Sequence, residues 1–126
     1  MSGYTIKSLK EVEDQAVRFG LSPDMESRFA REDLGCEQVG ISYQRLAPGV
    51  SQPFAHRHGE HEEIYVVVDG SGRVRLDGET AELARWDAVR VAPETVRAFA
   101  AGPEGLTILA IGPYGTGDAQ VQPVDW

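Results

Sequence analysis

Three histidines, His56, His58 and His61, and three glutamates, Glu60, Glu62 and Glu63, fall within eight consecutive residues, and the chain has no other histidine. Imidazole nitrogens and carboxylate oxygens ligate divalent first-row metals. Two imidazoles with one carboxylate, leaving positions open for water and substrate, suit non-haem iron or catalytic zinc. Spacing decides which of the six side chains can converge. His56 and His58 stand two apart, so on a strand both point to one face. Glu63 opens the run Ile64–Val68, whose β-branched and aromatic residues favour a strand, and it shares a face with Tyr65 and Val67. Gly59 permits a sharp turn between the two segments. Folded as a hairpin, the stretch aims His56, His58 and Glu63 at one point. His61 falls in the turn and is expected as a solvated side chain, as are Glu60 and Glu62.

The elements that must hold such a point are short strands. Ahead of them, Ser8-Leu9-Lys10-Glu11 reads as a capping box opening one or two helical turns over Val12–Val17. Met25–Ala30 reads as a strand, and Arg31–Leu34 as one helical turn stopped by Gly35. From Val39 the alternation is that of strands: Val39–Leu46 up to a Pro48-Gly49 turn, Phe54–His58, Glu63–Val68, Arg73–Leu76, Thr80–Leu83, Ala88–Val91, Val96–Ala100 and Leu106–Ile111. Asp69-Gly70-Ser71-Gly72, Asp77-Gly78 and Ala101–Gly105 read as turns or loops. Seven to nine short strands without a long amphipathic helix give an all-β fold, a small antiparallel β-barrel or sandwich whose interior can hold one ligand. The chain divides into an N-terminal arm with short helical turns (1–38), a barrel core (39–111) and a Gly-, Pro-, Asp- and Gln-rich tail (112–126). Val121, Val124 and Trp126 are the residues that would pin the tail to the barrel.

Composition narrows the function classes. At 126 residues the chain is one domain, and a 41% apolar content supports a packed core. A formal charge of −8 argues against nucleic acid and against an anionic membrane surface as partners. Cys36 is the single cysteine, which excludes an intrachain disulfide, and its neighbours supply no positive charge to activate it. No run approaches the length of a membrane span, and the N-terminus lacks the apolar segment of a signal peptide, so a cytoplasmic protein is expected. Gly112-x-x-Gly115-x-Gly117 matches a phosphate loop in composition only, without a strand–helix context.

Two motifs resemble those of the cupins. His56-x-His58, four residues, Glu63, six residues and Gly70 matches the first cupin motif, with Gly49 one position further upstream than usual. The segment Trp86–Phe99 resembles the second, with Pro93 in place but Trp86 and Glu94 where glycines are common and Arg97 where a histidine is common. The resemblance covers roughly Val39–Ile111. It implies a cupin barrel or jelly roll, often a homodimer, with a metal site at the barrel mouth. If the chain is an enzyme, it implies a metal-dependent dioxygenase or isomerase.

Arg97 separates two readings. A guanidinium stays protonated and has only donors, so it cannot be the fourth ligand. In the first reading His56, His58 and Glu63 hold a divalent metal (Fe, Mn, Ni, Zn or Cu) and Arg97 grips an anionic small-molecule ligand beside it. In the second, the protein is a metal-free binding or sensor module in which Arg97 takes the place of the metal and pairs with Glu63. Strand alternation adds Tyr65, Tyr43 and Phe99 to Arg97 as candidate ligand contacts. Trp86 reads as packing at a barrel end or dimer interface.

Overall fold

In the computed structural model, which describes residues 3–113 and 118–126, eight antiparallel strands form one curled sheet. They are β1 (Met25–Phe29), β2 (Val39–Leu46), β3 (Phe54–Arg57), β4 (Glu63–Leu76), β5 (Glu79–Leu83), β6 (Ala88–Val91), β7 (Arg97–Pro113) and β8 (Gln120–Pro123). One path through the sheet runs β1-β2-β7-β3-β8, and β4 pairs with β5, β6 and β7. The expected all-β jelly-roll barrel is therefore the fold. Its sheet reaches beyond 39–111 at both ends, because β1 joins it from the arm and β8 from the tail. No described helix is long and apolar enough to cross a membrane.

The seam of the barrel is β4 on β7. The sequence reads each of these as two strands broken by a glycine-containing turn, and here the structure differs. Each is one continuous strand, with register shifts between Val67 and Asp69 and between Gly70 and Gly72. The glycines serve close backbone approach instead of chain reversal. A Cβ on Gly70 would lie 2.0 Å from the Gly105 carbonyl oxygen, and one on Gly72 would lie 2.1 Å from that of Ala100. Irregularities of this kind bend a strand pair and increase its twist. The first half of β4 pairs with the end of β7 (Ile64 with Ile111), and the second half pairs with its start (Leu76 with Arg97). By contrast, Asp77-Gly78 is a true reversal into β5, with both residues at positive φ (50° and 90°).

The inward face buries Tyr65, Val67, Val74, Val91, Phe99, Leu106 and Ile108 in one cluster. Burial of each such aliphatic or aromatic side chain contributes roughly 1.5–3 kcal/mol. Tyr65 and Phe99 stack at a tilt, with ring centroids 4.8 Å apart.

The arm covers the opposite face of β1 and β2. It contains two 3-10 turns, Leu9–Glu11 and Gln15–Phe19, in place of the one or two helical turns expected over Val12–Val17. Ser8 does cap the first, its hydroxyl accepting from the Lys10 amide. Asp14 caps the second and also accepts from the Ser27 amide of β1 at 2.9 Å, which ties the arm to the sheet. The expected turn Arg31–Leu34 forms as helix α1, closed by Gly35 at φ 70°. Trp86 occupies a left-handed position (φ 75°) between β5 and β6 and is largely exposed, with the Arg85 guanidinium over its ring.

Candidate metal and ligand site

Three strands meet at one end of the barrel. His56 lies on β3 and His58 immediately after it. Glu63 and Tyr65 are the first and third residues of β4, and Arg97 is the first residue of β7, in register with His56. The backbone amide of His58 donates to Pro93 O at 2.7 Å, which holds the end of β3 against the turn before β7.

Glu63 Oε1 is the focus. His58 Nε2 is 3.1 Å from it and His56 Nε2 is 3.5 Å away. The Tyr65 hydroxyl donates to the same oxygen. The two imidazoles meet edge to face, centroids 5.1 Å apart. The ligand atoms of His56, His58 and Glu63 all lie within 4.8 Å of one another. Burial alone would push the Glu63 carboxyl up. Hydrogen bonds from His56 and Tyr65 and the charge of His58 outweigh it and hold the group down to about 2, so it is a carboxylate. Burial, and then the adjacent carboxylate, push the Tyr65 phenol well above its usual range, so it remains a donor.

Arg97 lies beneath this set and is completely buried (0% exposed). Its Nη1 donates to Pro93 O (3.2 Å) and His56 O (3.5 Å), and its Nη2 donates to Ala92 O (3.4 Å). Nη2 also stands 3.8 Å from Glu63 Oε1. Its Nε has no hydrogen-bond partner among the described residues. Arg97 thus braces the backbone around the site and adds one fixed positive charge to it.

The other sequence expectations divide. Tyr65 and Phe99 sit with Arg97 behind the cluster and fill the barrel there. Tyr43 does not join them. It is in register with Leu109, which in turn faces Val66, so it lies on the sheet face opposite to Tyr65. There the Lys10 ammonium covers its ring. A single-residue offset between strands sends alternate side chains to opposite faces, and alternation within one strand does not reveal which face is inner. His61 is half-buried, with Nδ1 2.8 Å from Asp118 Oδ2. Asp118 itself is a residue that sequence reasoning missed. Sixty positions separate it from His58, and an aspartate in a Gly- and Gln-rich tail carries no spacing signal. The Gly115 and Gly117 positions of the phosphate-loop-like motif lie outside the described residues.

The Cupin_2 family profile, a cupin domain, matches residues 42–112. With the jelly-roll barrel and the His-x-His…Glu cluster at its mouth, this shows that the chain belongs to the cupin family. Among curated proteins it is 33% identical over 52 residues to an uncharacterised protein of Methanocaldococcus jannaschii, a match that covers 41% of this chain and 42% of that protein. Among solved structures, a cupin protein from Bacteroides fragilis superposes with a TM-score of 0.74 at 25% identity, over 93% of each chain. The polyketide cyclase RemF from Streptomyces resistomycificus superposes with a TM-score of 0.76 at 21% identity, over 97% of this chain and 86% of that one. The last of these likenesses is one of fold.

Proposed function

We propose that this cupin binds a divalent metal through His56, His58 and Glu63 and recognises a small polar or anionic molecule beside it. The observation that carries the reading is the convergence of two imidazole nitrogens and one ionised carboxylate within 4.8 Å. Three ligands of this type fit a first-row divalent ion and leave positions for an exogenous ligand. A bound ion would act as a Lewis acid on an oxygen of that ligand. The chain's own residues supply the rest. Tyr65 fixes Glu63, Arg97 gives the site a positive floor that favours an anionic ligand, and Phe99 closes the space behind. His56, with its side chain 31% exposed, faces the open side.

One observation favours a second reading. The 3.8 Å approach of Arg97 to Glu63 is a contact that a metal-free binding module would use, with the guanidinium in place of the ion. The two readings separate by metal analysis of purified protein and by calorimetric titration with Zn2+ or Ni2+. The metal reading expects stoichiometric binding that His58→Ala and Glu63→Ala abolish. Failure of the wild type to bind any first-row divalent ion overturns it and leaves the metal-free reading.

For assembly, Ile64 and Ile111 form an exposed, in-register apolar pair on the outer face of the β4–β7 seam. This supports the proposal of a homodimer.

A further inference from the structure

The C-terminal segment returns across the barrel and lays β8 along β3, Gln120 opposite Arg57 and Pro123 opposite Phe54. Arg57 donates to Gln120 Oε1 at 2.8 and 3.1 Å, and the Trp126 indole donates to Gln52 O at 3.0 Å. This pairing sets Asp118, two residues ahead of β8, against the connection between β3 and β4. Its Oδ1 is 2.9 Å from His58 Nδ1, and its Oδ2 is 2.8 Å from His61 Nδ1 and 3.3 Å from the Glu60 amide. Among the described residues, the polar contacts of this carboxylate are thus to the connection that carries the metal-ligand candidate His58, and His58 bridges Asp118 and Glu63 through its two ring nitrogens.

We infer that Asp118 is a positioning residue for the metal site, which holds the His58 ring by its Nδ1–H so that Nε2 faces Glu63, and that the tail is therefore part of the site. The inference rests on the proposed metal reading. The physical basis is general. A ligating imidazole has two nitrogens, and a carboxylate on one fixes the proton and the ring plane that the other presents. Loss of such a partner typically weakens metal binding 10- to 100-fold. The second oxygen of Asp118 adds rigidity by tying down His61 and the Glu60 amide, so the three residues after His58 cannot swing away from the mouth. This gives His61 a role as an anchor of the connection.

The test combines Zn2+ titration with NMR of the histidine ring protons in wild type, Asp118→Ala, Asp118→Asn and Gln120→Ala. In the metal-free wild type, His58 is expected to show an Nδ1–H resonance protected from exchange, and Asp118→Ala is expected to lose it. Zn2+ affinity is expected to fall 10- to 100-fold in Asp118→Ala. Asp118→Asn keeps an acceptor oxygen and should fall between. Gln120→Ala loosens the β8 contact without touching His58 and should bind Zn2+ like the wild type. Equal Zn2+ affinity in Asp118→Ala, an unprotected His58 Nδ1–H in the wild type, or an equal loss in Gln120→Ala would each overturn the inference. If the wild type binds no Zn2+, the metal reading falls, and the His58 proton alone decides whether Asp118 orients the ring.

Discussion

Arg97 Nη2 lies 3.8 Å from Glu63 Oε1, although the two residues begin opposite ends of the β4–β7 seam. Arg97 pairs with Leu76, thirteen positions along β4 from Glu63. In a straight strand that separation would be about 43 Å at roughly 3.3 Å per residue. The curl of the sheet closes it, with register shifts at Val67/Asp69 and Gly70/Gly72 and with β3 laid beside β7 at His56 and Arg97. The closure that makes the barrel therefore also makes the site, and it puts a fixed cation beside three candidate metal ligands.

Replacement of that cation by a ligand should strengthen metal binding. Two like unit charges about 4 Å apart repel by about 4 kcal/mol at an effective dielectric near 20, and a divalent ion feels about twice as much at the same distance. Arg97→His removes this repulsion and offers a fourth nitrogen. Zn2+ affinity measured by calorimetry is expected to rise at least tenfold. Stability is expected to fall, because the carbonyls of Ala92 and Pro93 lose their donor. Unchanged Zn2+ affinity would show that Arg97 does not oppose the ion.

The bend itself can be probed at Gly72. A methyl group there meets the Ala100 carbonyl oxygen at 2.1 Å and the Leu106 side chain at 3.1 Å, and the first of these is backbone that cannot step aside cheaply. Gly72→Ala is expected to destabilise the fold by at least about 3 kcal/mol, in the range of overpacking and strained-backbone substitutions. Gly40→Ala on β2 is the comparison, since a Cβ there meets only the Gly112 carbonyl oxygen at 3.9 Å and, as at Gly72, there is no left-handed strain. Thermal unfolding followed by circular dichroism measures both, and a Gly72→Ala midpoint equal to that of the wild type would refute the close-approach account of the seam.

Acid sensitivity should come in part from Glu26, on the outer face beneath the arm. Its carboxylate accepts from Lys10 Nζ and Arg28 Nε at 2.6 Å and from Arg45 Nε at 3.0 Å. Burial pushes this group up, but the three cationic donors outweigh it and lower it from 4.5 to about 2. A depressed carboxyl contributes stability that is complete above its unfolded value and is lost as pH falls through its folded value. The network therefore loosens as pH falls from about 4.5 towards 2. Glu26→Gln should lower stability at neutral pH by about 1–3 kcal/mol, leaving Arg28 and Arg45 without their carboxylate, and should flatten the acid limb of the stability curve. Denaturant titrations across this range decide it: a Glu26→Gln curve parallel to that of the wild type would exclude the network as the source.

Most of the strand pattern was legible because alternation and turn chemistry are local. The residues His56, His58 and Glu63 could be grouped from spacing alone, and the identity of Arg97 as a charge that cannot ligate followed from its chemistry. Gly70, Gly72 and Gly105 were read as turns because a glycine that reverses the chain and a glycine that lets two backbones touch look alike in sequence. Tyr43 shows a similar limit, since alternation gives two faces and burial decides which is inside. The tertiary structure alone decided that the two ends of the seam meet and that Asp118 reaches His58 and His61 from the tail. Those contacts depend on strand register and sheet curvature, which are set by packing between residues far apart in the chain, whereas the ligand set depends on residue type and a spacing of a few positions.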